Sequence, residues 1–206
     1  MLKIKYFIQQ SWLLIVLSFC FGLLIASANA AWSGKIEQNK INKLNNLMKG
    51  LIIQADTFEV AIKGVSVLGE KGKEATTDIY KALDKTGKTL GFTFIASGMG
   101  FADKIELVIA VDPGCRELFG YKVLACSETP GFGDKIKDEY FSSQFKGAPT
   151  GRFELAKTGD VLQIDDKIVA ISGATVTSTA MVEIFNRYID TVKQQLQNRG
   201  LIGDVK

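Results

Sequence analysis

The sequence predicts an α+β domain, an antiparallel sheet with flanking helices, preceded by one N-terminal transmembrane helix. An uncharged run extends from Tyr6 to Ala31. The middle of the chain alternates strand-like stretches with Gly-containing turns. Towards the C-terminus, Met181, Ile184, Phe185, Tyr188, Ile189, Val192 and Leu196 recur at spacings of three and four, which marks one buried helical face. Strands grouped before a helix, rather than alternating with helices, give the α+β class.

Residues 1–31 form a membrane anchor or signal segment. Lys3 and Lys5 precede a run, Trp12 to Ala26, that is almost wholly apolar. Two readings compete: an anchor of about 20 residues, or a signal peptide cleaved after Ala28-Asn29-Ala30, which has the small-x-small form. Lys35, Lys40, Lys43 and Lys49 follow the segment, but large domains translocate largely regardless of such charges. Either reading puts the remaining residues on the extracytoplasmic, periplasmic side of the cytoplasmic (inner) membrane.

Residues 32–55 predict a helical stalk, with Ile41, Leu44, Leu47, Met48 and Leu51 at helical spacing. Residues 56–206 form the domain itself. Thr57 to Val67 reads as a strand. Asp78 to Leu83 and Thr89 to Ser97 form a hairpin around Asp84-Lys85-Thr86-Gly87-Lys88. Lys104 to Val111 and Arg116 to Glu128 form a second hairpin around Asp112-Pro113-Gly114. Tyr140, Phe141 and Phe145 predict a short helix ending near Gly147, and Gly151 to Ile171 a loose run of short strands.

Composition narrows the function. The 206 residues carry 25 Lys plus Arg against 22 Asp plus Glu, spread along the chain, which is no footprint for nucleic acid. Histidine is absent, which removes the usual general base and every Ser-His or Cys-His nucleophile pair. Any chemistry therefore belongs to a bound cofactor, with no catalytic residue of the chain's own and no metal site. Cys20 lies in the apolar run. Cys115 and Cys126 are too far apart to bridge if the intervening residues form a straight strand of roughly 36 Å, because bridged Cα atoms lie within about 7 Å.

Two stretches carry a site signal. Ser172-Gly173-Ala174-Thr175-Val176-Thr177-Ser178 runs directly into the terminal helix. Ser and Thr are ordinary N-caps, but one hydroxyl is enough for that task. A helix start also offers unpartnered N–H groups and a positive dipole end to an anion. From Val169 to Arg187 the only cation is at the far end, so a phosphate held there as a diester fits better than a free dianion. The second stretch is Glu128-Thr129-Pro130-Gly131-Phe132-Gly133-Asp134-Lys135-Ile136. With Gly98-Met99-Gly100-Phe101, it provides glycines that serve turns or allow close approach of backbone to something flat.

In order and spacing, these pieces resemble the FMN-binding domain of the G subunit of the Rnf electron-transport complex and the C subunit of the sodium-pumping NADH:quinone oxidoreductase. The likeness covers nearly the whole chain and is nearer to the former. It implies that Thr175 carries FMN through a phosphoester, installed from FAD by a separate flavin transferase. Ser172, Gly173, Ala174, Thr177 and Ser178 would surround the phosphate, and Glu128, Thr129, Gly131 and Gly133 would lie near the ring. Where the transferase's usual target has Asp three residues before the Ser, this chain has Val169. The implied function is an electron-relay subunit of a membrane complex coupling ferredoxin and NAD redox to ion translocation, with the other membrane and redox subunits as partners. Two alternatives stand beside it: the quinone-reductase C subunit or a stand-alone extracytoplasmic flavoprotein, and a non-redox assembly subunit whose flavin site has decayed.

Overall fold

The computed structural model describes residues 2–68 and 74–203, with side chains from residue 11 onward. Residue 1 and residues 204–206, at the limits of the predicted segments, lie outside the described residues, as do residues 69–73 within the predicted sheet region. The chain divides into a unit up to Lys43 and a unit from Leu44 onward. Helix α1, Leu2–Leu51, is continuous through the junction predicted at residues 31 and 32. In the first unit, the side chains from Trp12 to Ile25 are exposed, and the helix from Ser11 is long and apolar enough to cross a membrane.

The second unit is built on a five-stranded antiparallel meander, in the order β1 (Thr57–Leu68), β2 (Glu74–Leu83), β3 (Thr89–Met99), β4 (Lys104–Val111) and β5 (Leu118–Ala125). Both predicted hairpins form. In the first turn, Asp84 Oδ1 accepts from the backbone N–H groups of Thr86 and Lys88 and from the Thr86 hydroxyl, while Gly87 supplies the positive φ. In the second, the Asp112 carboxylate takes the N–H groups of Gly114, Arg116 and Glu117. That capture explains why β5 begins at Leu118 rather than at the predicted Arg116. Strand β2 starts earlier than predicted, because Glu74 to Thr77 continue the pairing with β1.

Alternation along the strands gives two faces. One carries Phe92, Phe94, Ile105, Leu107 and Ile109 into the main core, where helix α3 (Thr175–Asn198) lays its apolar stripe. Tyr121, Phe145, Phe153 and Phe185 interlock there, with Phe145 and Phe185 stacked at 4.3 Å between ring centroids. The other face carries Ala82 and Ala110 against Ile52 and Ala55, just past the end of α1. Thr93 Oγ1 donates to Met48 Sδ there.

The connection from β5 to α3 departs from the predicted single short helix. A 3₁₀ turn (Gly133–Lys137), helix α2 (Glu139–Ser142) and a second 3₁₀ turn (Ser143–Phe145) share that stretch. Strands β6 (Glu154–Ala156) and β7 (Lys167–Val169) then pair in parallel. The Gln144 side chain binds both backbone groups of Val169, accepting from its N–H at 2.7 Å and donating to its carbonyl at 3.3 Å. Helix α3 ends at Asn198 and is closed off by Gly200, φ +66°, where the Gly200 and Leu201 N–H groups bond the Gln197 and Leu196 carbonyls.

Candidate functional site

The site lies at the N-terminal end of α3, where three segments distant in sequence meet. The first is the turn between β3 and β4. The second is the loop after β5, where Thr129-Pro130-Gly131-Phe132 closes a β-turn through Phe132 N–H to Thr129 O at 3.2 Å. Pro fixes φ at the first central position of that turn, and Gly131 at φ +77° fills the second. The third is the turn into α3, closed by Ala174 N–H to Ile171 O at 3.0 Å with Gly173 at φ +80°. A Cβ at Gly173 would come within 3.0 Å of the Phe132 ring, so the second and third segments touch where glycine leaves the backbone bare.

A cleft of about 380 Å³ opens between these segments. Glu128, Thr129 and Gly133 line one side, Gly173, Ala174, Thr175 and Thr177 another, and Phe101, Phe132 and Val176 the rim. Helix α3 starts behind Ala174 with no side-chain cap, so its first amide N–H groups have no intrahelical acceptor. Thr175, the first residue of the helix, is exposed. Its hydroxyl therefore stands on an open, positively polarised helix end.

The predicted residues divide by what holds them. Ser178 is fully buried; its hydroxyl donates to Ala174 O and accepts from Ile171 N–H, both at 3.0 Å, so it braces the turn behind the cleft. Thr177 is also buried and donates to Glu128 Oε2 at 2.6 Å. Glu128 Oε1 accepts from Ala102 N–H at 3.0 Å. One carboxylate thus ties all three segments together. Ser172 and Gly131 are exposed and do not line the cleft. Among the glycines before β4, Gly98 makes room for α3, since a Cβ there would meet Ile184 at 2.6 Å, and Gly100 makes room for Glu128.

Phe101, Phe132 and Val176 are lining residues that motif reading missed. The signal was a large apolar side chain set beside glycine: Phe101 follows Gly100, and Phe132 sits between Gly131 and Gly133. Phe101 is 67% exposed and Phe132 52%, unusual for aromatic side chains that nothing covers. Asp134 Oδ1, next to Gly133, is buried without a hydrogen-bond partner.

Residues 100–190 match the model of the FMN-binding domain family, and they contain every segment of the cleft. A cleft at the lower end of the ligand-pocket range, an uncapped helix start and two exposed aromatic rings fit a planar ring system bearing a phosphate. Along most of its length, the chain is 28% identical to the G subunit of the ion-translocating oxidoreductase complex of Methanosarcina acetivorans, over 88% of this chain and 92% of the relative. It is 27% identical to the G subunit of the proton-translocating ferredoxin:NAD(+) oxidoreductase complex of Clostridium ljungdahlii, over 87% and 88%. Among solved structures, NqrC of Shewanella oneidensis superposes with a TM-score of 0.53 at 23% identity, over 71% of this chain and 73% of that one. The fold is thus shared with NqrC, consistent with the predicted α+β class.

Proposed function

We propose that this chain is an electron-relay subunit of an Rnf-type membrane complex that couples ferredoxin and NAD redox to ion translocation, and that it carries FMN joined covalently to Thr175. The observation that carries this reading is the exposed Thr175 hydroxyl at the uncapped start of α3, on a cleft whose other wall is the Glu128 to Gly133 loop. Relatives matched over most of the chain support it by name: they are G subunits of an ion-translocating oxidoreductase complex and of a proton-translocating ferredoxin:NAD(+) oxidoreductase complex. Attachment needs a flavin transferase as partner. The Thr175 oxygen displaces adenylate from the FMN phosphorus of FAD, so that one P–O bond forms as another breaks and the hydroxyl proton leaves. The resulting diester carries one negative charge, which helix amides can hold without an Arg clamp.

When bound, the flavin supplies the chemistry, accepting and releasing one or two electrons. The chain's residues supply the position. Thr175 fixes the phosphate end, Thr129 and Gly133 line the opposite side of the cleft, and the exposed Phe101 and Phe132 stand at its rim. Helix α1 anchors the subunit in the cytoplasmic membrane with the domain on the extracytoplasmic side, where a tethered flavin cannot diffuse away. Intact-mass spectrometry of protein coexpressed with a flavin transferase tests the reading. One FMN-sized increment is expected, absent in Thr175→Ala; an increment retained in that variant refutes the attachment.

A further inference from the structure

Covalent attachment gives no role to the charge of Glu128, whose carboxylate ties the three segments of the cleft together. Glu128 is 6% exposed, and it is the only ionisable side chain among the described residues lining the cleft. Its position is fixed from three directions. Thr177 Oγ1 donates to Oε2 at 2.6 Å, Ala102 N–H to Oε1 at 3.0 Å, and Asp103 N–H approaches Oε1 at 3.5 Å. The glycine backbones close in as well. A Cβ at Gly133 would lie 2.5 Å from Oε2 and 2.8 Å from Thr177 Oγ1, and one at Gly100 would overlap Oε1.

A hydroxyl and backbone amides would be more than is needed to brace a loop with a neutral side chain. They are what a buried carboxylate needs when no cation is at hand, because removing a charge from water is costly unless donors replace the lost hydration. These donors are dipoles. They hold the carboxylate in place and leave its net charge uncancelled.

We propose that Glu128 sets the redox potential of the cleft: its fixed negative charge opposes electron uptake by the bound flavin and holds the midpoint potential low. The inference rests on the reading that FMN occupies this cleft. Reduction adds negative charge to the ring system, and a like charge within a partly desolvated site raises the energy of that form more than it would in water. Thr177 acts through Glu128 as a positioning residue, its hydroxyl dipole softening the charge it holds.

The test is a redox titration of full-length, FMN-loaded protein at one pH and ionic strength, so that every variant is compared at the same proton activity and the same screening. Glu128→Gln keeps size and an acceptor for Thr177 and removes the charge. It is expected to favour reduction at least tenfold, an upward shift of about 30 mV for a two-electron couple. Glu128→Asp keeps the charge and should move the potential by less than half as much. Thr177→Val keeps the charge but removes its closest donor, and a downward shift is expected. An unmoved potential in Glu128→Gln, or an equal rise in Glu128→Asp, overturns the proposal. Should Glu128→Gln fail to take up FMN, Thr177→Val decides: a downward shift supports the proposal, and an upward shift or none overturns it. Wild-type protein that never acquires FMN removes the parent reading and this inference together, whereas loaded protein with an indifferent potential removes this inference alone.

Discussion

Two clefts in the second unit make an instructive pair. The larger, about 670 Å³, runs beside the end of α1, where Leu51, Ile53 and Phe119 face Lys122, Lys137 and Lys146. The smaller, about 380 Å³, is the one at the mouth of α3. Size favours the first, and chemistry favours the second. The three lysines of the larger cleft are exposed side chains on a solvated rim. The smaller cleft has a buried carboxylate, a buried threonine hydroxyl bonded to it, and glycines at points where a Cβ could not fit. A site is recognised by polar groups the fold has gone out of its way to bury and satisfy, not by the volume of empty space beside it.

The largest expected difference between the clefts is in flavin loading. Thr175→Ala should abolish the FMN-sized mass increment, and because Thr175 is exposed, its unfolding free energy should stay within about 0.5 kcal/mol of wild type. Intact mass and urea denaturation on the same sample check both halves. A variant that loses flavin and also melts early would mean that Thr175 supports the fold, and the contrast between the clefts would fail.

Alkaline pH should separate the surroundings of the clefts next. Tyr121 lines the larger cleft, and burial pushes its phenol well above the ordinary value, with Asp138 and Cys126 adding to the rise. Burial likewise pushes the Cys115 thiol up to about 11, with Asp112 adding and Lys193 opposing. Both groups keep their protons in the folded state at a pH where the unfolded chain loses them. Stability from Cys115 is therefore full below about pH 8.5–9 and is lost as pH rises towards 11, by about 2–3 kcal/mol. Urea midpoints from pH 8 to 11 should fall along this course, with a shallower slope in Cys115→Ala. A flat profile would show that neither group is as sequestered as the packing indicates.

How much of this could be read from the sequence depends on the range of the interactions. Both hairpins and α3 were legible because their signals are local: Asp84 and Asp112 cap their own turns, and the α3 stripe repeats every turn. The Ser172–Ser178 and Glu128–Ile136 stretches were legible as motifs. Their meeting was not, because the bond from Thr177 to Glu128 spans 49 positions. Nor could composition distinguish Ser178, consumed by the turn behind the cleft, from Thr175, which is open on it. The broken helix between Gly133 and Phe145 was missed for a similar reason. Tyr121 donates to Ile136 O at 2.5 Å and Gln144 clamps Val169, so long-range partners interrupt what helical spacing alone would have continued.

Glycine substitutions probe the smaller cleft more gently and separate two causes of cost. Gly133→Ala would press a methyl against Glu128 and Thr177 and should cost about 1–3 kcal/mol through overpacking, with reduced flavin loading. Gly131→Ala meets no atom within 4 Å, so its cost of about 1–2 kcal/mol comes from the positive φ alone. Denaturation and loading measured together should show loading falling in the first variant and surviving in the second. Equal loss in both would place the loop's backbone shape, rather than the Glu128 pocket, in control.

The smallest effect belongs to the larger cleft, and it is the one that could reverse the comparison. Lys122, Lys137 and Lys146 are exposed, and removing exposed side chains away from buried networks usually changes stability by no more than about 0.5 kcal/mol. A variant with all three replaced by Ala should therefore load FMN at the wild-type level and show an unchanged urea midpoint. Loss of loading in that variant would mean that the larger cleft takes part in maturation, most simply as a surface the flavin transferase needs. Volume would then have pointed to a function that burial and hydrogen bonding do not mark.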